Sequence, residues 1–253
     1  MTKKYNLGFI SDSDIYEHVR NTVCQYRRSI NLEEFNKNVV DPIKLMFDSK
    51  IYNQTIKETI TTECLRQIDK SNNNCIGYFH QYIFKYAGDG WVVPPNGKQG
   101  GFDLVNDKLH IYAEIKNKHN IMNSASSSAT YVKMQNKLLT DDKATCYLVE
   151  AIAKASHDDK WVATIKTQGA MPVKYQHERI RKISMDRFYG IVFGDPYTFF
   201  RLCKALPVVL DDVLSREESI KLKNSVYEEL AGDDFLKSLF LLAFESYDGF
   251  EQY

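Results

Sequence analysis

Strict alternation of apolar and polar residues marks 109–116 as a strand. Leu109, Ile111, Ala113 and Ile115 share one face, while His110, Tyr112, Glu114 and Lys116 share the other. The first face is expected to be buried and the second to carry a carboxylate beside an amine. Residues 102–105 read as the preceding strand, joined to it by the turn-forming run Asn106-Asp107-Lys108. Further strands are expected at 91–95, closed by Asn96-Gly97, at 146–153, parallel to 109–116, at 161–165, and at 188–193 before Gly194-Asp195-Pro196. Gly100 and Gly101 permit close backbone approach just before Asp103.

Helical spacing fills most of the remaining chain. Ile15, Val19, Val23 and Tyr26 follow N-cap candidates in Ser11-Asp-Ser-Asp14, and Asn31-Leu-Glu-Glu34 opens a second helix that should stop near Asp41-Pro42. A short segment begins at 43–47. Residues 53–68 predict an amphipathic helix with Ile56, Ile60, Cys64 and Ile68 inward, then a linker and cap at 71–74, then an aromatic helix over 75–86 ended by 87–90. Residues 126–139 read as a crossover helix with Tyr131, Met134 and Leu138 inward and Lys133 and Lys137 outward. Pro196 should open a helix that Pro207 breaks or kinks, and 215–253 should hold two more. Residues 236–244 are apolar on several faces, which suits deep core or a subunit interface. The pattern is α/β: a mixed central β-sheet flanked by helices, with helical additions at both ends. It is expected to form a single domain over 1–253, with a helical part at 1–74, a catalytic core at 75–200 and a helical part at 201–253.

Composition narrows the class. The 253 residues are 43% hydrophobic and 13% aromatic, enough for a full core and against disorder. Lys and Arg number 33, as do Asp and Glu, so bulk charge does not point to a polyanion; a local basic cleft would have to do so. Five scattered Cys without a Cys-x-x-Cys pair suit reduced thiols and argue against zinc. With no apolar run of membrane-spanning length and no signal-peptide pattern, a soluble cytoplasmic protein is expected.

The chemistry converges on 100–120. Folding 102–105 back on 109–116 makes Asp103 and Glu114 direct or diagonal cross-strand neighbours, roughly 5–8 Å apart. Two carboxylates that close repel, and a hard divalent cation such as Mg2+ relieves them while keeping waters for a phosphate and a nucleophile. Lys116, on the same face, could hold a phosphoryl oxygen or help deprotonate the attacking water. Asn117, Lys118, His119, Asn120 and Asn123 leave this strand without an acidic neighbour, which fits contact with phosphates or base edges; a solvated loop is the plain alternative. Lys133 joins this set. Residues 166–182 are the most basic stretch, with Lys174, Arg179 and Arg181 as candidates for DNA contact and the arginines for reading guanine, against a solvated basic hairpin. Glu58 or Glu63 could add a carboxylate, although a solvated helix face explains them more simply. His80 reads as a core histidine.

Asp103, a hydrophobic strand and then Glu114-Ile115-Lys116 resemble the signature of the PD-(D/E)XK nuclease superfamily, with Phe102 where that family has proline. GYFHQYIFKY (77–86), KNKHNIMNS (116–124), TYVKMQ (130–135) and FYGIVFGDPYTFF (188–200) extend the likeness over most of the chain. Together they resemble the group of type II restriction endonucleases that cut GGNCC- or GGWCC-like sites. The resemblance implies a restriction-endonuclease-like core, with Asp103, Glu114 and Lys116 catalytic and Mg2+ held by Asp103, Glu114 and the Ile115 carbonyl. It implies cleavage of double-stranded DNA at a short palindrome by a homodimer, leaving 5′-phosphates, with no organic cofactor and no membrane. A structure-specific repair or recombination nuclease and a non-catalytic DNA-binding protein are the alternatives from other classes.

Overall fold

The computed structural model describes residues 4–95, 101–119, 122–165, 172–216, 223–230 and 235–245. In chain order the elements are α1 (Asp12–Gln25), β1 (Ser29–Ile30), α2 (Leu32–Asn36), α3 (Pro42–Ile51) and α4 (Ile56–Tyr82), followed by a 3₁₀ turn (Ile83–Tyr86). Then come β2 (Leu104–Asn106), β3 (Ile111–Lys118), α5 (Ser124–Thr140), β4 (Thr145–Ile152), β5 (Asp158–Lys160), β6 (Ala163–Ile165), β7 (Val173–Tyr175) and β8 (Ile180–Ser184). The chain closes with α6 (Met185–Phe193), α7 (Thr198–Leu214), β9 (Lys223–Asn224), α8 (Val226–Leu230) and α9 (Phe235–Phe244). Contacts divide it into two compact units, residues 1–23 with 76–216 and residues 24–75 with 217–253. These boundaries differ from the expected divisions at 74 and 200, and the single-domain organisation stays a proposal.

The larger unit is built on a mixed sheet of order β2-β3-β4-β8-β5, with β3, β4 and β8 parallel and β2 and β5 antiparallel at the edges. Both faces are covered, as a parallel centre requires. Leu104, Ala113, Val149 and Ile183 meet α1, α6 and α7 through Ile15, Val19, Phe188, Tyr189 and Leu202. On the other side Val105, Tyr112, Cys146 and Ile180 pack beneath Tyr131 and Met134 of α5. The expected division of strand 109–116 into one apolar and one polar face therefore needs correction. Tyr112 is as buried as its apolar neighbours, and the second face becomes polar only from Glu114 onward. The strand also starts later, because His110 takes a positive φ of 54° and turns the chain into it.

Other expectations need correction as well. Residues 71–74 are not a linker but lie inside the continuous helix α4. The asparagines that suggested a break have their amides occupied: Asn72 bonds both N and O of Arg27, and Asn73 bonds back to Asp69. Residues 188–193 are helix, not strand. Phe188, Tyr189 and Val192 make one buried helical face, and Gly194 ends α6 at φ 75°, a conformation that suits glycine at a helix C-terminus. Of the two outcomes expected at Pro207, a break or a kink, the break does not occur: α7 runs through to Leu214 while Leu202, Val209 and Val213 stay buried. The helix begins at Thr198 rather than Pro196, since Asp195 organises the entry turn by accepting from Tyr197 N–H at 2.8 Å. Residues 91–95 contribute one antiparallel bridge, Val92 to Val105, and Asn96-Gly97 and Gly100 lie outside the described residues.

Two enclosed histidines give this unit a pH dependence. His18 Nε2 lies 3.0 Å from the Phe79 carbonyl, and His80 Nδ1 has no hydrogen-bond partner among the described residues. Burial pushes both imidazoles down to about 4; the Phe79 carbonyl opposes this at His18 while Lys85 adds to it, and His18 adds to it at His80. Between the ordinary histidine value and about 4 the unfolded chain binds protons that the folded chain refuses. Stability should be full above pH ~6.5 and fall by roughly 3 kcal/mol for each histidine, about 6 kcal/mol for the two together, as pH drops toward 4. Urea melts across that window check it, and His80→Leu should flatten the decline.

In the second unit α2 starts from a complete capping box between Asn31 and Glu34, and α3 from Asp41 with Pro42 in its first turn. Ile60, Cys64 and Ile68 of α4 pack with Phe35, Leu45, Val226 and Leu239, and β1 pairs in parallel with β9. Glu58 caps its own helix through Thr55, and Glu63 is held by Arg66 and Gln67, so both glutamates are engaged locally. Among the described residues, no helix is long and apolar enough to cross a membrane.

Candidate active site

The β2–β3 ladder decides where the carboxylates meet. Leu104 pairs with Ala113, and the ladder continues one step outward because Asp103 N–H donates to the Ala113 carbonyl at 2.9 Å. Asp103 therefore stands opposite Glu114 on the α5 face of the sheet. The turn that sets this register is tied by Asn106, whose amide donates to Asp89 O and accepts from Leu109 N–H. Asp103 Oδ2 accepts the Ile115 N–H at 2.7 Å, which aims its carboxylate across the strand.

Glu114 is only 8% exposed, and each of its oxygens accepts an ammonium. Lys116 Nζ lies 2.6 Å from Oε1 and Lys133 Nζ 2.5 Å from Oε2. Burial raises the Asp103 carboxyl above the ordinary aspartate range, and the Glu114 charge adds to this, against the Ile115 N–H and the two lysines. Gln81 of α4 donates to the Asp103 carbonyl at 3.3 Å and steadies the segment from behind.

Among the described residues, no group of three or more His, Cys, Asp or Glu is placed to hold a metal. The available set is two adjacent carboxylates, all oxygen. That donor set fits a hard divalent ion, which accepts one or two protein carboxylates and keeps its waters, and it does not fit zinc in a structural role. The raised Asp103 carboxyl and the two ammonium groups drawn to Glu114 both mark a place where positive charge is stabilising.

The residues expected to contact DNA fall into two groups. Asn117 and Lys118 are the last two residues of β3, His119 follows it and is bonded to the Ile152 carbonyl, and Asn120 lies outside the described residues. Asn123 caps α5 by accepting the Ser126 N–H at 2.8 Å. Lys133, expected to face outward, instead reaches Glu114. The second group is spread over the β6–β7 hairpin and the start of β8. Lys174 is exposed on β7, Arg179 donates to the Asp142 and Ala144 carbonyls, and Arg181 is paired with Asp158 at 2.6 Å. Both arginines thus spend donors inside the fold.

The sequence reading missed a neighbouring row. Glu150 is the register partner of Lys116 on β4, and it is 5% exposed. Its oxygens accept Lys182 Nζ at 2.7 Å and face His157 Nε2 at 3.2 Å. A lone glutamate inside the apolar run of β4 was the available signal. The C-terminal ends of β3, β4 and β8 are therefore lined by Glu114, Lys116, Glu150 and Lys182, the end of an open α/β sheet at which ligands bind.

The Eco47II restriction endonuclease family model matches residues 7–215 of this chain. The chain is similar to type II restriction enzyme Sau96I of Staphylococcus aureus, with 30% identity over 227 residues, 87% of this chain and 85% of that enzyme. It is also similar to type II restriction enzyme Eco47II of Escherichia coli, with 28% identity over 216 residues, 83% of this chain and 88% of that enzyme.

Proposed function

Because the chain belongs to the Eco47II restriction endonuclease family and is a DNA-hydrolysing type II restriction enzyme, we propose that it cuts both strands of a short palindromic GGNCC-like site with Mg2+, leaving 5′-phosphate and 3′-hydroxyl ends. The observation that carries the catalytic part is the β2–β3 register, which sets Asp103 opposite Glu114 with Lys116 on the same carboxylate. The GGNCC-like site rests on the sequence resemblance. A palindrome read by a protein calls for two-fold symmetry, so the acting species is a homodimer in which each subunit cuts one strand.

Asp103, Glu114 and the Ile115 carbonyl would hold Mg2+. When bound, the ion neutralises phosphoryl charge and makes its water acidic enough to attack. The Ile115 N–H fixes the Asp103 carboxylate toward the site, and Gln81 prevents the Asp103 backbone from retreating. Lys116 orients the attacking water and stabilises negative charge developing on the phosphoryl oxygens. Asn117, Lys118 and His119 are offered to the DNA backbone as the strand leaves the site.

Lys116→Met removes a group needed most in the transition state. It should lower the single-turnover cleavage rate about 10²–10³-fold while DNA affinity in a gel-shift assay changes little. The end chemistry is tested directly: cut fragments should religate without kinase treatment and fail to religate after phosphatase. Fragments that need a kinase would refute the proposed products.

A further inference from the structure

Glu114 is satisfied from two different elements. Lys116 belongs to its own strand, whereas Lys133 reaches over from α5. The Lys133 ammonium has three anchors: Glu114 Oε2, the Gly101 carbonyl at 2.9 Å, and the face of the Phe102 ring at 4.7 Å. Beside it lies a groove of about 560 Å³ lined by Phe102, Ala129, Val132, Lys133, Asn136 and Lys137. The groove gives the ammonium open space in which to move, with a second lysine already there.

The charges of this group are balanced. Asp103 and Glu114 carry two negative charges, and Lys116 and Lys133 two positive ones. A dication taking the same Glu114 oxygen would be forced within a few ångströms of the Lys133 ammonium, and that repulsion is strong in a half-buried site. It is relieved if Lys133 withdraws, and a backbone phosphate in the groove gives it a reason to do so.

We propose that Lys133 competes with the divalent cation for Glu114 and yields that oxygen when a DNA phosphate draws its ammonium into the groove, so that cation and DNA bind with positive coupling. This rests on Asp103 and Glu114 being the cation ligands. Coupling of this kind is reciprocal: each ligand tightens the other by the same factor. It would discourage a loaded site away from DNA.

The test is Mn2+ binding by the whole protein, read from the electron paramagnetic resonance signal of free Mn2+. Lys133→Met and Lys133→Gln, each checked for folding by thermal melting, should bind Mn2+ at least about tenfold tighter than wild type without DNA. Lys133→Arg, which keeps the charge, and Lys137→Met, which removes a nearby charge not bonded to Glu114, should bind like wild type. Adding a duplex that lacks the cleavage sequence should tighten Mn2+ binding to wild type and scarcely alter it for Lys133→Met. No tightening in Lys133→Met and Lys133→Gln, or equal tightening in Lys137→Met, overturns the competition. Equal response to the duplex in wild type and Lys133→Met overturns the role of DNA. Glu114→Gln separates the two levels: if it binds Mn2+ as wild type does, the assignment of the cation ligands fails, whereas loss in Glu114→Gln with unchanged Lys133 variants sinks only the competition.

Discussion

Asp103→Asn is expected to remove cleavage, by at least about 10³-fold in single-turnover rate, and to leave the fold intact. The asparagine keeps an oxygen to accept the Ile115 N–H, so the hydrogen bond at 2.7 Å has a substitute and the β2–β3 register persists. What disappears is one of the two negative charges facing each other across the ladder. The carboxyl is already raised by burial and by Glu114, so the folded protein holds this charge against a cost. A purely structural residue is rarely kept in that condition; a functional one often is. Circular dichroism should match wild type and urea melts should show no loss of stability while plasmid cleavage is lost. Activity within a few-fold of wild type would remove Asp103 from the site.

Phe188→Ala should be the most damaging change away from the site. Phe188 is fully buried at the join between α6 and the sheet, with ring contacts to Phe84 at 5.5 Å, Trp91 at 6.1 Å and Tyr147 at 5.8 Å between centroids. Truncation deletes a large apolar side chain and leaves a cavity among aromatic rings that cannot collapse into it. A loss of about 3–5 kcal/mol is expected, read as a lower urea midpoint at unchanged slope. A loss below ~1 kcal/mol would mean that α6 repacks and that the aromatic cluster is less rigid than its geometry suggests.

The legible part of the sequence was the part governed by local rules. Alternation over 109–116, turn residues at 106–108 and the apolar run of β4 sufficed for the mixed α/β sheet and for the pairing of Asp103 with Glu114. The capping signals at Ser11 and Asn31 also marked helix starts within a residue or two, whereas Asp41, read only as a helix stop, is the N-cap of α3. The failures were set by long-range structure. The asparagines at 72 and 73 looked like a break because their side chains compete for backbone hydrogen bonds, and only the fold shows Arg27 taking that capacity from Asn72. The run at 188–193 was too short for periodicity to separate strand from helix, and the deciding contacts come from Phe84, Trp91 and Tyr147. Lys133 was read as outward from its helix position. It sits beside Met134 at the edge of the buried face, from where a long side chain can lay its stem along apolar surface and bring its ammonium to Glu114. Glu150 carried a signal, a charge in a buried strand, but its partners His157 and Lys182 come from later elements that the sequence does not align with it.

The most direct test of the account is digestion of unmethylated plasmid by the purified protein, with Mg2+ and with EDTA, followed by run-off sequencing of the ends. Discrete Mg2+-dependent fragments whose ends share one short palindrome are the predicted result. Uncut plasmid with Mg2+, equal cutting in EDTA, or ends without a common sequence would contradict it.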